Sequence, residues 1–393
     1  MPVDHASLRK THVNCERPPF ECIALLLQGG GALGAYQAGV YQAMAEANLH
    51  PDWVAGISIG AINAALIAGN PPEQRVDKLR AFWETVTENP LGLPYFPLPQ
   101  IMGERTRALV NQSYVLGTLL FGAPGCFKPR LLPPSLFPYS DPQSLSFCDV
   151  GALKSTLERL VDFDRINARE MRFSVGATNI KTGNFIYFDN ATTAITPAHV
   201  IASGSLPPGF PATEIGGEYY WDGGLVSNTP MQWVLDAGPR QDTLAFQIDL
   251  WNARGELPRD LAHMNMRQTA IHYSSRTRAG TDQFRKVQGF RRATSKLLAK
   301  LPEALRQTPE AELLAQEADE KVYNIIQMIY RAKKYEGNSM DHEFSRSTME
   351  EHWQAGHEDA ICTLRHPEVL ERPKSLDGVF TFDLGAQGRI SSE

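Results

Sequence analysis

Along the first part of the chain, short runs in which nearly every position is apolar alternate with longer stretches in which apolar residues return every three or four positions. From Cys22 an apolar run leads into the glycine cluster Gly29-Gly30-Gly31-Ala32-Leu33-Gly34, after which Leu33, Tyr36, Val40, Tyr41 and Met44 fall at helical spacing. This predicts strand, tight loop, helix. A second unit follows at once, with Trp53–Ile57 as a buried strand and Ile59–Leu66 as a helix ending near Gly69. Two successive strand–helix units imply a parallel sheet.

Residues 72–88 predict an amphipathic helix. Between Pro90 and Pro142 the pattern breaks: ten prolines and seven aromatic residues exclude a continuous helix or a central strand, so this stretch is expected to be an insertion lying over the domain. Regular structure returns with a helix near 149–161, capped by Asp149, and with strands Arg172–Asn179 and Asn184–Asp189 forming a hairpin. After the strand-like Tyr219-Tyr220-Trp221 come Asp222-Gly223-Gly224, a helix Met231–Ala237 and a buried strand Thr243–Leu250, where the α/β alternation is expected to stop. From about Leu257 to Ala360 the chain reads as helical and charged, with residues 302–334 as its clearest amphipathic passage, and Gly378–Asp383 is a weak strand candidate. The expected organisation is an α/β domain over 22–250 and a mainly helical region over 257–393.

Composition is that of an ordinary folded protein, 42% hydrophobic and 21% charged over 393 residues. A net charge of -6 argues against nucleic acid as a partner, since phosphate recognition needs a basic excess. Cys15, Cys22, Cys126, Cys148 and Cys362 are odd in number and scattered, so neither a disulfide framework nor a cysteine zinc site is suggested. A reducing cytoplasm fits best. The charged first 21 residues do not read as a signal peptide, and no run reaches the length of a membrane span, so contact with lipid is expected only at a surface.

Three motifs carry chemistry. Gly56-Ile57-Ser58-Ile59-Gly60 stands where a strand candidate meets a helix candidate, the setting of a nucleophile elbow. Its serine would sit on a sharp, strained turn, and the flanking glycines remove side chains that would collide there; the alternative is an ordinary strand–helix turn with Ser58 as a cap. The Gly29–Gly34 loop can turn backbone N–H groups towards an anion, either a phosphate or the oxyanion of a tetrahedral intermediate. It also matches a dinucleotide fingerprint, but Asp52 precedes the second strand, whereas a ribose-binding acid would end it. Asp222-Gly223-Gly224 by itself is a common turn signal.

Glycine loop, GxSxG and Asp-Gly-Gly, in this order and at these separations, resemble the patatin-like phospholipase family over roughly residues 22–250. Ser205–Pro211 is similar to a proline-containing stretch of that family. The resemblance implies a three-layer α/β/α fold with a mainly parallel sheet, hydrolysing lipid acyl esters without metal or cofactor. It further implies Ser58 as nucleophile, Asp222 as general base and the Gly29, Gly30 and Gly31 amides as oxyanion hole, with Gly34, Gly56, Gly60, Gly223 and Gly224 supporting the turns.

Two rivals stay open. One is an α/β-hydrolase-like triad that draws on His263 or His272 after Asp222, although that fold builds several strands before its elbow. The other is a catalytically idle lipid-binding or scaffold protein. Tyr95, Phe96, Phe121, Phe127, Phe137 and Tyr139 of the insertion suit either a lid, a lipid-facing surface or packing onto the domain. Eight basic residues between Arg276 and Lys300, against the single acid Asp282, suit anionic headgroups or a solvated helix face. Peripheral membrane contact is therefore expected as an option, and the oligomeric state is left open.

Overall fold

The computed structural model describes residues 8–89, 103–132, 134, 141–274, 277–332, 340–384 and 390–392. In chain order the first half runs β1 (Cys22–Leu27), α1 (Ala35–Glu46), β2 (Trp53–Gly56), α2 (Ile59–Ala68), α3 (Arg75–Val86), α4 (Glu104–Phe121), β3 (Lys128–Pro129), β4 (Cys148–Asp149), α5 (Gly151–Leu160) and α6 (Phe163–Asn167). Then follow β5 (Arg172–Asn179), β6 (Phe185–Asp189), α7 (Pro197–Ser203), β7 (Thr213–Ile215), β8 (Glu218–Asp222), α8 (Met231–Asp236) and β9 (Thr243–Asp249). The remainder comprises α9 (Leu261–Tyr273), α10 (Thr277–Leu298), α11 (Glu303–Arg306), α12 (Pro309–Glu317), β10 (Tyr323–Ile329), α13 (Arg346–Leu364), β11 (Val379–Leu384) and β12 (Ile390–Ser392).

Among the described residues ten strands form one sheet in the order β12-β11-β10-β9-β1-β2-β5-β8-β7, with β6 also paired to β5. From β11 to β5 every pairing is parallel; the outer pairings β11–β12, β5–β6, β5–β8 and β7–β8 are antiparallel. Successive side chains of a strand point to opposite faces, and β1 shows the consequence. Ile23, Leu25 and Leu27 pack with Tyr36, Val40, Ile62, Trp83 and Trp353 of the helices on one side, while Cys22, Ala24 and Leu26 pack with Met231, Val234, Leu235 and Phe284 on the other. Both faces are covered, giving the three-layer α/β/α arrangement.

The structure departs from the sequence expectations in three places. Inside the proline-rich stretch, residues 104–121 form α4, because the prolines cluster at 90–99 and 124–142 and leave a proline-free interval between them. Tyr95, Phe96, Phe137 and Tyr139 lie outside the described residues. Within the passage expected to be amphipathic helix, only α11 and α12 are helical; Tyr323–Ile329 is β10, and the parallel sheet continues past residue 250. A strand buried on both faces is apolar at nearly every position, and over seven residues that pattern cannot be told from a buried helical segment. Finally, Asp149 lies just before α5, where its Oδ1 accepts from Gly151 N (3.0 Å), and Val150 is the N-cap residue.

Candidate active site

Ser58 stands between the end of β2 and the start of α2, with φ 56° and ψ -123°. A non-glycine residue in that region carries backbone strain of roughly 1–3 kcal/mol, which the surroundings must hold in place. They do: Ser58 N donates to the buried Ser203 Oγ at 3.0 Å, and Ser58 O accepts from Ala61 N at 2.9 Å. The flanking glycines are required by contact. A Cβ on Gly56 would strike the Gly60 carbonyl, and one on Gly60 would strike the Leu27 carbonyl of β1.

Residues far apart in sequence meet here because two strands share one edge of β5. β2 runs parallel to β5 as far as Gly56, opposite Val175, while β8 runs antiparallel and ends with Asp222 opposite Ala177. β6 pairs with Ser174–Thr178 on the other edge, so β2 and β8 lie on the same side, head to head. Positions 175 and 177 are only about 7 Å apart along a strand. The chain leaving β2 and the chain leaving β8 are therefore delivered to one point. Gly223 completes the junction, since a Cβ on it would press on the Gly176 carbonyl between those two positions.

At that point Ser58 and Asp222 line the same cavity, and Ser58 lies near enough to the carboxylate to lower its pKa. Asp222 is buried at 3% exposure; its Oδ1 accepts from Gly224 N (2.7 Å), and its own N donates to Ser205 O (3.0 Å) in the Ser205–Pro211 stretch. Burial pushes its pKa up to about 7, with Ser58 and the bond from Gly224 pulling the other way.

The glycine loop is held from behind. Gly29 O accepts from Asn228 Nδ2 (3.0 Å) and Trp251 Nε1 (3.0 Å), and because a trans peptide points its C=O and N–H in opposite directions, the Gly30 N–H is aimed away from them. Gly31 has φ 55°, and a Cβ there would strike the Asp341 carbonyl. Gly29 differs from its two neighbours: its N–H faces the Asn228 carbonyl at 3.4 Å. Behind the loop, buried Gln28, Gln37 and Asn63 form a chain, with Gln37 Nε2 donating to Gln28 O (2.7 Å) and Asn63 Nδ2 donating to Gly34 O (2.9 Å). Gly34 leaves room for Ile59 and Trp83.

Ser58, Asp222 and Gly29–Gly31 line one cavity of about 110 Å³. Its walls are mostly apolar, from Ile59, Ile62, Leu153, Ile201, Leu206 and Phe210, joined by Phe127 of the insertion and Phe344. Phe127 sets its ring edge against Phe210 (5.2 Å) and Phe344 (5.9 Å).

The sequence matches the family profile for patatin-like phospholipase over residues 25–234, just over half of the chain. The chain belongs to the patatin-like phospholipase family. A second profile, described as patatin phospholipase, matches residues 271–376, so the C-terminal part carries family character as well. Membership makes this patatin-like chain a lipid acyl hydrolase by family. Among solved structures it is similar to VipD from Legionella pneumophila, at 15% identity over 94% of this chain and 72% of that one, with a TM-score of 0.40. It is also similar to the ExoU–SpcU complex of the Pseudomonas aeruginosa type III secretion system, at 17% identity over 88% of this chain and 52% of that one, with a TM-score of 0.27. No curated protein matches it.

The rival readings find little support in the placement of their residues. Asp52 sits at the start of the strands, its Oδ2 accepting from Ile23 N (2.7 Å) and Arg17 (2.6 Å), at the end of the sheet away from the glycine loop. His263 is paired with its own N-cap Asp260 (2.8 Å), His272 is exposed and rests on Tyr273, and neither lines the cavity of the patatin-like site. Replacing both by alanine is expected to leave ester turnover within a few-fold, whereas a loss of about 10⁴ would restore the triad. Of the basic stretch on and just after α10, Arg291 turns to Asp236 (3.5 Å) and Arg292 to the Glu320 carbonyl (2.6 Å), while Lys286, Lys296 and Lys300 are exposed.

Sequence reasoning missed Asn228, Trp251, Tyr273, Asp341, His342 and Phe344, all of which border the cavity. They come from loops and helix ends with no motif around them, so only the fold could bring them to the site. No helix among the described residues is long and apolar enough to cross a membrane.

Proposed function

We propose that this chain hydrolyses acyl esters of lipids through Ser58 and Asp222, with the Gly30 and Gly31 amides as the oxyanion hole. The observation that carries the proposal is a serine in strained backbone that shares the wall of an apolar cavity with a buried carboxylate. Ser58 Oγ attacks the ester carbonyl carbon while Asp222 takes its proton. The negative charge on the carbonyl oxygen is met by the two amides, of which Gly30 is held in place by the bonds on the Gly29 carbonyl and need not reorganise. Collapse expels the alcohol, which receives the proton from Asp222, and a water activated by the same carboxylate releases the acid. A buried carboxylate is a better base than one near pKa 4, so burial supplies part of what an imidazole would otherwise provide. Gly29, with its amide facing Asn228, has a supporting place in the turn.

The apolar walls fit an acyl chain. Beside them α4 exposes Leu116, Leu119, Leu120 and Phe121, which suits approach to a lipid surface.

The pH profile tests the base. Asp222 works ionised, so kcat/KM for a short-chain ester is expected to fall about tenfold per pH unit below about pH 7 and to level off above it. A profile flat from pH 5 to 9, or absence of turnover towards esters of any chain length, would overturn the assignment.

A further inference from the structure

Away from the ester site, at the far end of α1, three side chains from distant parts of the chain converge: His12, Glu46 and His357. Their ligand atoms all lie within 4.8 Å of one another. His12 Nε2 is 2.7 Å from Glu46 Oε2, and His357 Nε2 is 3.0 Å from the same oxygen. We propose that these residues form a site for a divalent first-row transition ion, with Zn²⁺ the best match to two imidazoles and one carboxylate.

The backbone sets the site. α1 and α13 cross in near contact because each offers a glycine to the other: a Cβ on Gly39 would strike the Trp353 carbonyl, and one on Gly356 would strike the Tyr36 carbonyl. His357 adjoins Gly356 at that crossing, and Glu46 lies about two turns after Gly39 on α1, where its carboxylate meets the His357 ring. His12 arrives from the N-terminal segment, where Cys15 Sγ donates to His12 O (3.2 Å) and Asn14 N and Cys15 N donate to the last carbonyls of α1.

Donors at 2.0–2.1 Å from a tetrahedral ion stand about 3.3 Å from one another, so to hold an ion His12 and Glu46, now 2.7 Å apart, must part by about 0.6 Å, His357 and Glu46, now 3.0 Å apart, by about 0.3 Å, and any wider pair within the 4.8 Å cluster must close. A supporting shell is already present. Gln42 Nε2 donates to Glu46 Oε1 (2.9 Å), and Trp353 Nε1 donates to Gln42 Oε1 (2.6 Å), each one helical turn before Glu46 and His357 respectively. Such outer partners fix the orientation of a metal-ligating carboxylate. His12 is buried, while the Glu46 side chain is 34% exposed, which gives an ion a route in and leaves a position for water. Because α1 begins at the glycine loop and ends at Glu46, about 18 Å along its axis, the ion has no part in ester chemistry. Its role is to tie the N-terminal segment to two core helices.

The test uses the full chain without added histidines, stripped by a chelator, with Zn²⁺, Co²⁺ or Mg²⁺ alone as probe. One equivalent of Zn²⁺ is expected to bind, and a hundredfold excess over Kd to raise Tm by about 3 °C. Co²⁺ should produce visible ligand-field bands of a nitrogen–oxygen site, and Mg²⁺ should produce no shift. His357→Ala should remove both signals with an unchanged far-ultraviolet circular dichroism spectrum. His12→Gln, which keeps a hydrogen bond to Glu46, should do the same where the alanine variant folds poorly. A wild-type chain that takes up no ion, an equal response to Mg²⁺, or binding that survives both substitutions would overturn the site.

Discussion

A Ser58→Ala chain is expected to take no fluorophosphonate label and to lose about 10⁴-fold or more in ester turnover, while its melting temperature stays close to that of the wild type. The size of the loss follows from the nature of the step. Without Oγ no acyl-enzyme forms, and what remains is the oxyanion hole and the binding cavity acting on water. The small stability change follows from where Ser58 stands, at the wall of the cavity it shares with Asp222, with the elbow itself held by backbone bonds of Ser58 that alanine retains. Probe labelling and thermal melts on the same preparations separate chemistry from folding. Labelling that persists in Ser58→Ala would place the nucleophile elsewhere.

Asp222→Asn is the second large effect, and it moves activity and stability in opposite directions. Activity should drop by about 10²–10⁴-fold, because an amide cannot take the serine proton. Stability should rise above pH 7. Asp222 has a folded pKa of about 7 against an unfolded value near 3.8, so its protonated form is the one the fold prefers. The resulting contribution to stability is complete below the unfolded pKa and is lost as pH rises through about 7, where the buried group must carry charge. The full difference corresponds to roughly 4 kcal/mol as an upper bound, which asparagine avoids. Denaturant titrations of both chains at pH 4 and pH 8.5 check the sign. The variant should be the more stable chain at pH 8.5 and nearly equal at pH 4, and a variant weaker at both would show that the carboxylate is stabilised in its ionised form.

The pH window of that instability is the window of activity. On the proposed mechanism the wild type works only where Asp222 is ionised, and there the fold carries the cost of a buried charge at 3% exposure. Stability is given up at the site that needs a strong base, and the surrounding sheet, apolar on both faces, supplies it.

Much of the fold was readable from local pattern. The runs at 22–27, 53–57, 172–179 and 243–250 became strands, and the glycine loop and GxSxG fell at strand–helix junctions, because such contacts lie within a few residues and follow from periodicity and from where only glycine fits. β10 was misread because burial on both faces erases the alternation that marks a strand. α4 was hidden by averaging proline content over a stretch whose prolines lie at its ends.

The sequence by itself determined the strand–loop–helix units, the strained turn at Ser58 and the glycine positions around it. Tertiary structure alone decided that β2 and β8 end head to head on one edge of β5, that Asn228 and Trp251 pin the Gly29 carbonyl, that Phe127 and Phe344 join the cavity wall, and that His12 and His357 meet at Glu46. The reason is range. Propensity and spacing report on neighbours along the chain, whereas strand order and helix crossing are set by how apolar faces are buried against partners hundreds of residues away.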